Sequence, residues 1–364
     1  MFEERCTALL QRVDADAFLV VHLEGTDPDG ASMFYLTGYP GFGVLLITRN
    51  AVHAYASATN IGMASAAAPH LDWQLLGWEY QKEIAARIRD HGLRRVAIAS
   101  RRMGLFTARS LQKANAAELA IEEDPVSEIR CIKERSEIEA IRRATEITEQ
   151  ALANVLKDLR LGQTEAETAW QLESQMRTLG AEGLAFDLIV SAGAYSALPH
   201  HRPCDRGIEL GDLLLFDIGA KVDGYCSDIT RVVSVGQAAS RWRDIYRIVL
   251  DANRAGLDAF APDVSGPTVD QAAKQVIVDA GYAEFYPHGL SHGVGIEVHE
   301  LPLSEGTNAV AAYQPGMVCT AEPGIYLPGA GGIRIEDILV ITETGCEVLS
   351  TFPKDRLIEL DLES

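Results

Sequence analysis

Short apolar runs separated by turn residues dominate the first third of the chain. AFLVV (17–21), GVLLIT (43–48), AVHAYA (51–56) and RRVAIAS (94–100) have the length and β-branched content of strands. EYQKEIAARIRDHG (79–92) instead has apolar positions at helical spacing and reads as an amphipathic helix ended by Gly92. Strands alternating with helices predict an α/β unit, a mostly parallel or mixed sheet with helices packed on it, over residues 1–130. EEDPVSEIRCIKERSEIEAIRRA then passes from a Pro-containing connection into a long charged helix, so a boundary is expected near 125–135 and a second domain over 131–364. In that domain helices at 134–160 and 164–180 precede extended runs at 186–191, 212–218, 231–235, 317–321 and 333–341, with a helix pair at 240–260 and 268–280. Helices on a strongly bent antiparallel sheet make this half α+β.

Charge narrows the partners. With 32 basic against 52 acidic residues the formal net charge is −20. Nucleic acid and anionic membrane surfaces would be repelled, and small substrates or neutral peptides fit better. No stretch approaches the ~20 apolar residues of a membrane span. The six cysteines form no CxxC pair, and the start MFEERCTALLQRVDADAFLVV shows no basic segment leading into an apolar run and cleavage site, so a reducing cytoplasm is the expectation.

The chemistry concentrates after residue 186. LLLFDIGAKVDGYCSDITR sets Asp217 and Asp228 eleven residues apart around Gly224 and Tyr225. Two antiparallel strands joined at that turn would face both carboxylates into one pocket; the bland alternative is a solvent-facing hairpin. Asp217 follows LLLF directly, where a buried charge is costly unless something offsets it. PHGLSHGVGIEVHE carries His288, His292 and His299, three of nine histidines, in a glycine-rich run unable to form a regular helix. VCTAEPGIYLPG and GGIRIEDILVIT place Glu322 and Glu336 after strand-like runs, and buried glutamates are scarce unless paired or metal-bound. Arg334, two residues before Glu336, is expected to share its strand face and orient it. Four carboxylates and one imidazole suit two divalent ions sharing a water.

These segments, with ALPHHRP ahead of them, resemble the metallopeptidase family of methionine aminopeptidase, Xaa-Pro aminopeptidase and Xaa-Pro dipeptidase (prolidase). IRCIKERSEIEAIRRA and FYLTGYPGFGVLLIT resemble the linker helix and the N-terminal domain of its proline-specific members. The resemblance implies a creatinase-like α/β N-terminal domain (1–130) followed by an α+β pita-bread, methionine-aminopeptidase-like catalytic domain (131–364). It implies that Asp217 chelates one ion, Asp228 and Glu336 bridge two, and His292 and Glu322 complete one shell. His200, His288 and His299 match the family's non-ligand histidines, which hold the substrate's carbonyl and carboxylate ends and move protons. Glu322, His200 and His299 are thus the catalytic expectation, and His288, His299 and Arg334 the substrate-binding one; Ser291 and Thr230 neighbour the ligands. Tyr225, Tyr326 and Leu290 are candidate pocket walls by nearness to the motifs.

The implied cofactors are two divalent metal ions per subunit, Mn²⁺ first, with Co²⁺, Zn²⁺ or Fe²⁺ compatible with the same donors. The implied substrate is an Xaa-Pro dipeptide or short peptide, hydrolysed by a homodimer whose N-terminal domain overhangs the neighbour's site and sets substrate length. After VLLIT the family often carries an acidic-Gly-Arg-Tyr type segment, whereas this chain has AYASATNIGMASAAAPHLDW. Substrate length is therefore left open. Two alternatives stand beside the peptidase: a hydrolase of a small non-peptide C–N bond, as in ectoine hydrolase, and a pita-bread binding module without catalysis. The filled ligand set weighs against the second.

Overall fold

The computed structural model describes residues 2–306 and 309–362. The chain divides into two compact units, Met1–Arg130 and Cys131–Ser364.

The first unit is built on a seven-stranded mixed sheet. Ala17–Leu23 lies at its centre, antiparallel to Gly43–Thr48 and parallel to Arg95–Ala99. Trp73–Leu75 and Glu118–Glu122 close the two edges. These edge strands are short and carry exposed positions, which is why their apolar pattern is weak in the sequence. The helix read over 79–92 is Tyr80–Asp90, and Gly92 turns the chain at φ +65° just beyond it. The segment read as a Pro-containing connection differs: Pro125–Arg130 is a short helix, Pro125 occupying a first-turn position whose missing N–H costs nothing.

In the second unit the long charged helix is Arg135–Asp158, opened by a reciprocal capping box between Glu134 and Glu137. Its buried positions Ala140, Ile141, Ala144, Thr148, Ala151, Leu152 and Val155 recur every three to four residues. With Glu165–Thr178 it covers one face of a four-stranded sheet ordered Ile358–Leu360, Ile229–Val235, Leu213–Ile218, Ile189–Ala192. The helices Ser240–Ala259 and Gly266–Asp279 pack in a second core with a five-stranded sheet containing His292–Gly293, Val318–Ala321 and Asp337–Ile341. The bent antiparallel sheet expected from the sequence is thus divided into several short sheets. The run 333–341 is likewise two strands, Gly331–Arg334 and Asp337–Ile341, paired in different sheets. No helix among the described residues is long and apolar enough to cross a membrane.

Candidate metal centre

Strand alternation aims the first two carboxylates. In Leu213–Ile218, Leu214, Phe216 and Ile218 enter one core while Leu213 and Leu215 enter the other. Asp217 continues the second set and opens onto a cavity of about 1050 Å³. The neighbouring strand is in register with Asp217 opposite Thr230. Ile229 and Val233 enter the first core, so Asp228 and Thr230 share the other face with Val232. The turn between the two aspartates is not their shared hairpin, however. It is a separate small one, Ala220–Val222 with Tyr225–Cys226, whose corner Asp223 and Gly224 both adopt positive φ, as a type I′ turn requires. Ser227 Oγ lies 2.8 Å from Thr148 Oγ1, and both oxygens accept from Ala220 N–H at 3.0 Å, tying the Asp228 segment to the long helix.

The other three acids and bases come from the second core. His292 sits where its strand shifts register, and Gly293 is required there because a Cβ would lie 2.3 Å from the Leu301 carbonyl oxygen. Glu322 follows Val318–Ala321 and donates its N–H to Leu290 O at 2.9 Å. Glu336 lies in the break between two strands, its N–H on Thr230 O at 3.2 Å and its carbonyl accepting from Arg231. Asp217, Asp228, His292, Glu322 and Glu336 all line the one cavity, as do His200, His288, His299 and Arg334.

The donor set fits metal ions. Oδ1 of Asp217 and Oδ1 of Asp228 are buried without a hydrogen-bond partner among the described residues, which is costly for a carboxylate unless a cation supplies the missing contact. Asp228, His292 and Glu336 bring one ligand atom each within 4.8 Å of one another. His292 Nδ1 lies 3.1 Å from Gly293 O, a carbonyl that can only accept, so this nitrogen carries a proton and Nε2 points at the acids, 3.2 Å from Glu322 Oε1 and 3.6 Å from Asp228 Oδ2. Burial disfavours the imidazolium, but Glu322 outweighs it and raises His292; a proton on Nε2 stands where an ion would bind. Burial and the neighbouring acids push Asp228 and Glu336 well above the ordinary carboxyl range. Burial also acts upward on Glu322, yet its contact with His292 reverses that and holds it at about 2.

Arg334 departs from the expected geometry. Its Nη2 donates to Asp217 Oδ2 at 2.6 Å, its Nε to Thr230 Oγ1 at 3.0 Å and its Nη1 to Tyr326 Oη at 2.8 Å. It reaches Glu336 only through Thr230, whose hydroxyl donates to Glu336 Oε2 at 2.6 Å, because the strand ends between residues 334 and 336 and no shared face exists. Tyr326 Oη in turn is 2.8 Å from His288 Nε2, while His288 Nδ1 is 2.9 Å from Gly289 O. The carbonyl can only accept, so Nδ1 donates, Nε2 accepts from the tyrosine and His288 is neutral, in line with the burial that lowers it. His299, its ring 4.1 Å from that of His292, is lowered to about 4 by burial and by that neighbour. The expected wall residues are elsewhere. Tyr225 is buried with its hydroxyl on Glu137 at 2.7 Å, and Leu290 and Tyr326 are core side chains. Apolar lining comes instead from residues such as Phe186, Ile189, Leu198, Pro287 and Val298.

Lys133 has no part in the sequence reading of the site, yet its Nζ pairs with Glu300 Oε1 at 2.9 Å, both side chains almost fully buried. Glu300 Oε2 also accepts from Glu297 N–H at 3.2 Å, so the pair anchors the turn presenting His299. Lys133→Met is expected to destabilise the protein by about 3–5 kcal/mol, since it strands a buried carboxylate; a denaturant midpoint unchanged from wild type would contradict this.

A buried carboxylate-rich cluster with one imidazole, opening on a cavity, is the site of a metal-dependent hydrolase. Comparison with known proteins agrees: the metallopeptidase family M24 model matches residues 139–343 and the creatinase/prolidase N-terminal domain model residues 4–132. An Xaa-Pro dipeptidase of Pyrococcus furiosus is 40% identical over 247 residues, 68% of this chain and 70% of that protein. Among solved structures, an X-Pro aminopeptidase of Thermotoga maritima matches with a TM-score of 0.91 at 34% identity, covering 99% of each chain. An Xaa-Pro dipeptidase of Bacillus anthracis matches at 0.92 and 32% identity, covering 99% of this chain and 100% of that one. The chain belongs to metallopeptidase family M24, with a creatinase-type α/β N-terminal domain and an α+β pita-bread catalytic domain.

Proposed function

We propose that the protein hydrolyses the Xaa-Pro amide bond of dipeptides or short peptides with two divalent ions held by Asp217, Asp228, His292, Glu322 and Glu336. The observation that carries this reading is the pair of buried, unpartnered oxygens on Asp217 and Asp228 facing three further donors in one cavity. The likeness to the Xaa-Pro dipeptidase of Pyrococcus furiosus and the X-Pro aminopeptidase of Thermotoga maritima supports the choice of bond. Bound ions supply a water acidified toward neutrality and polarise the amide carbonyl. Glu322, which lines the cavity beside His292, takes the proton of the attacking water and passes it on toward the leaving proline nitrogen. His299, neutral at physiological pH, donates to the developing oxyanion. His288, fixed in one tautomer by Tyr326 and Gly289, and His200, at the cavity wall, position the substrate's ends. Arg334 opposes the burial that raises Asp217 and keeps its carboxylate aimed. Manganese is the first choice among the metals, because carboxylates dominate the shell.

His299→Ala should leave both ions in place and lower kcat by about 10²–10³-fold, the effect of losing one oxyanion donor. Metal analysis beside steady-state kinetics checks this, and parallel loss of metal would assign His299 to the shell instead. An Xaa-Pro bond has no amide N–H, so a pocket built for it rejects non-prolyl amides by shape. With Mn²⁺ bound, Xaa-Pro dipeptides should be cleaved in preference to Xaa-Pro-Xaa tripeptides and to Xaa-Ala controls; equal rates on Xaa-Ala would remove the proline assignment. We further propose a cytoplasmic homodimer in which the partner's N-terminal domain limits substrate length. Light scattering of a fully active monomer would contradict it.

A further inference from the structure

A second group of metal-ligating side chains lies in the same domain and shares no residue with the four acids and one histidine above. Glu165, the first residue of the helix Glu165–Thr178, is completely buried. His201 Nε2 is 2.7 Å from its Oε2, and Cys204 Sγ is 3.2 Å from the same oxygen. Carboxylate, imidazole and thiol thus bring one ligand atom each within 4.8 Å of one another. The geometry is built from both sides. Glu165 Oε1 accepts from Ala192 N–H at 2.7 Å, and its Oε2 accepts from Cys204 N–H at 3.2 Å. The imidazole stacks on Tyr195 with ring centroids 4.7 Å apart and an interplanar angle of 27°. The nearby cation, Arg206, is already neutralised by a two-point contact with Asp212 at 2.7 and 2.9 Å, so it does not cancel the carboxylate's charge.

We infer that Glu165, His201 and Cys204 form a third metal site, selective for a thiophilic divalent cation such as Zn²⁺ and separate from the dinuclear centre. The chemistry separates the two sites. The five-donor centre offers only oxygen and one nitrogen, whereas this cluster offers one each of oxygen, nitrogen and sulfur, the mixed set that tetrahedral zinc accepts. Three protein donors leave a fourth position, and His201 lines the main cavity, so solvent or a substrate group can complete the shell. Binding needs a balanced proton change: the Cys204 thiol loses its proton to solvent, and the His201 proton now facing Glu165 moves from Nε2 to Nδ1. His200 adjoins His201 in the chain and lines the same cavity, so an ion here would fix the segment that presents it. Zinc beyond two equivalents is accordingly expected to slow turnover.

Cobalt separates this site from the catalytic centre, because a thiolate-to-cobalt charge-transfer band in the near ultraviolet requires a sulfur ligand and none of the five donors is sulfur. Titrating the full-length protein with Co²⁺ should develop that band with a final stoichiometry of three ions per chain. Cys204→Ser should bind two ions and show no band. Absence of the band in wild type, or its persistence in Cys204→Ser, would overturn the proposal while leaving the peptidase reading untouched. Should Cys204→Ser fail to fold, alkylation of the wild-type protein decides: Zn²⁺ protecting Cys204 in peptide mapping supports the site, and equal labelling with and without Zn²⁺ overturns it.

Discussion

Glu322→Gln is expected to lower kcat by about 10²–10⁴-fold, the range for losing a general acid–base group, in protein that still binds metal. The amide replaces the carboxylate with little change in shape, so the variant keeps the backbone anchor from Glu322 N–H to Leu290 O. What it loses is the ionised oxygen 3.2 Å from His292 Nε2 and the capacity to accept and return a proton. The substitution leaves in place the side chains of His288 and His299, proposed to contact the substrate, so the effect should fall on kcat more than on KM. Rate measured per bound metal ion distinguishes the proposed roles: a rate that falls only in proportion to metal content would leave Glu322 a ligand and nothing more.

Metal removal has the other large effect. Chelation should abolish hydrolysis, Mn²⁺ or Co²⁺ should restore it, and Asp228→Asn should lower occupancy of both ions. The ion-free protein should also respond to pH in a characteristic sense. Asp228 and Glu336 are raised in the folded chain, so they hold protons that the unfolded chain has already released. The stability this contributes is full below the unfolded carboxyl range and is lost as pH rises through the raised values. Ions bind the deprotonated donors, so their contribution grows over the same interval. The gap in Tm between metal-loaded and metal-free protein should therefore widen as pH rises from about 5 to 8. A gap that narrows would place the protons elsewhere.

Much of the site was legible because its residues obey strand alternation. Asp217 sits at the next outward position after Leu213 and Leu215, and Asp228 shares a face with Thr230 and Val232; the sequence marked both as candidate ligands, while the solvent-facing alternative was closed only by the register of the two strands. The long helices were legible as long charged helical stretches, and the structure adds the capping boxes that open them. Contacts between residues far apart in the chain were not. Arg334 meets Asp217 from 117 positions away, and Lys133 meets Glu300 across a distance no local pattern encodes. The break at Glu336 was hidden because GGIRIEDILVIT reads as one apolar run, whereas its two halves pair with different strands. Wall residues were misplaced for a related reason: nearness to a motif says nothing about which side of a strand faces the cavity. Glu165, His201 and Cys204 gave no signal, since the glutamate lies 36 residues from the histidine and only the fold joins them.

The most direct test is anomalous diffraction from crystals of the full-length protein equilibrated with Mn²⁺. Two manganese peaks per chain are expected within bonding distance of Asp217, Asp228, His292, Glu322 and Glu336, with Asp228 and Glu336 each touching both. A single peak, or manganese bound away from these side chains in protein that still cleaves Xaa-Pro substrates, would contradict this.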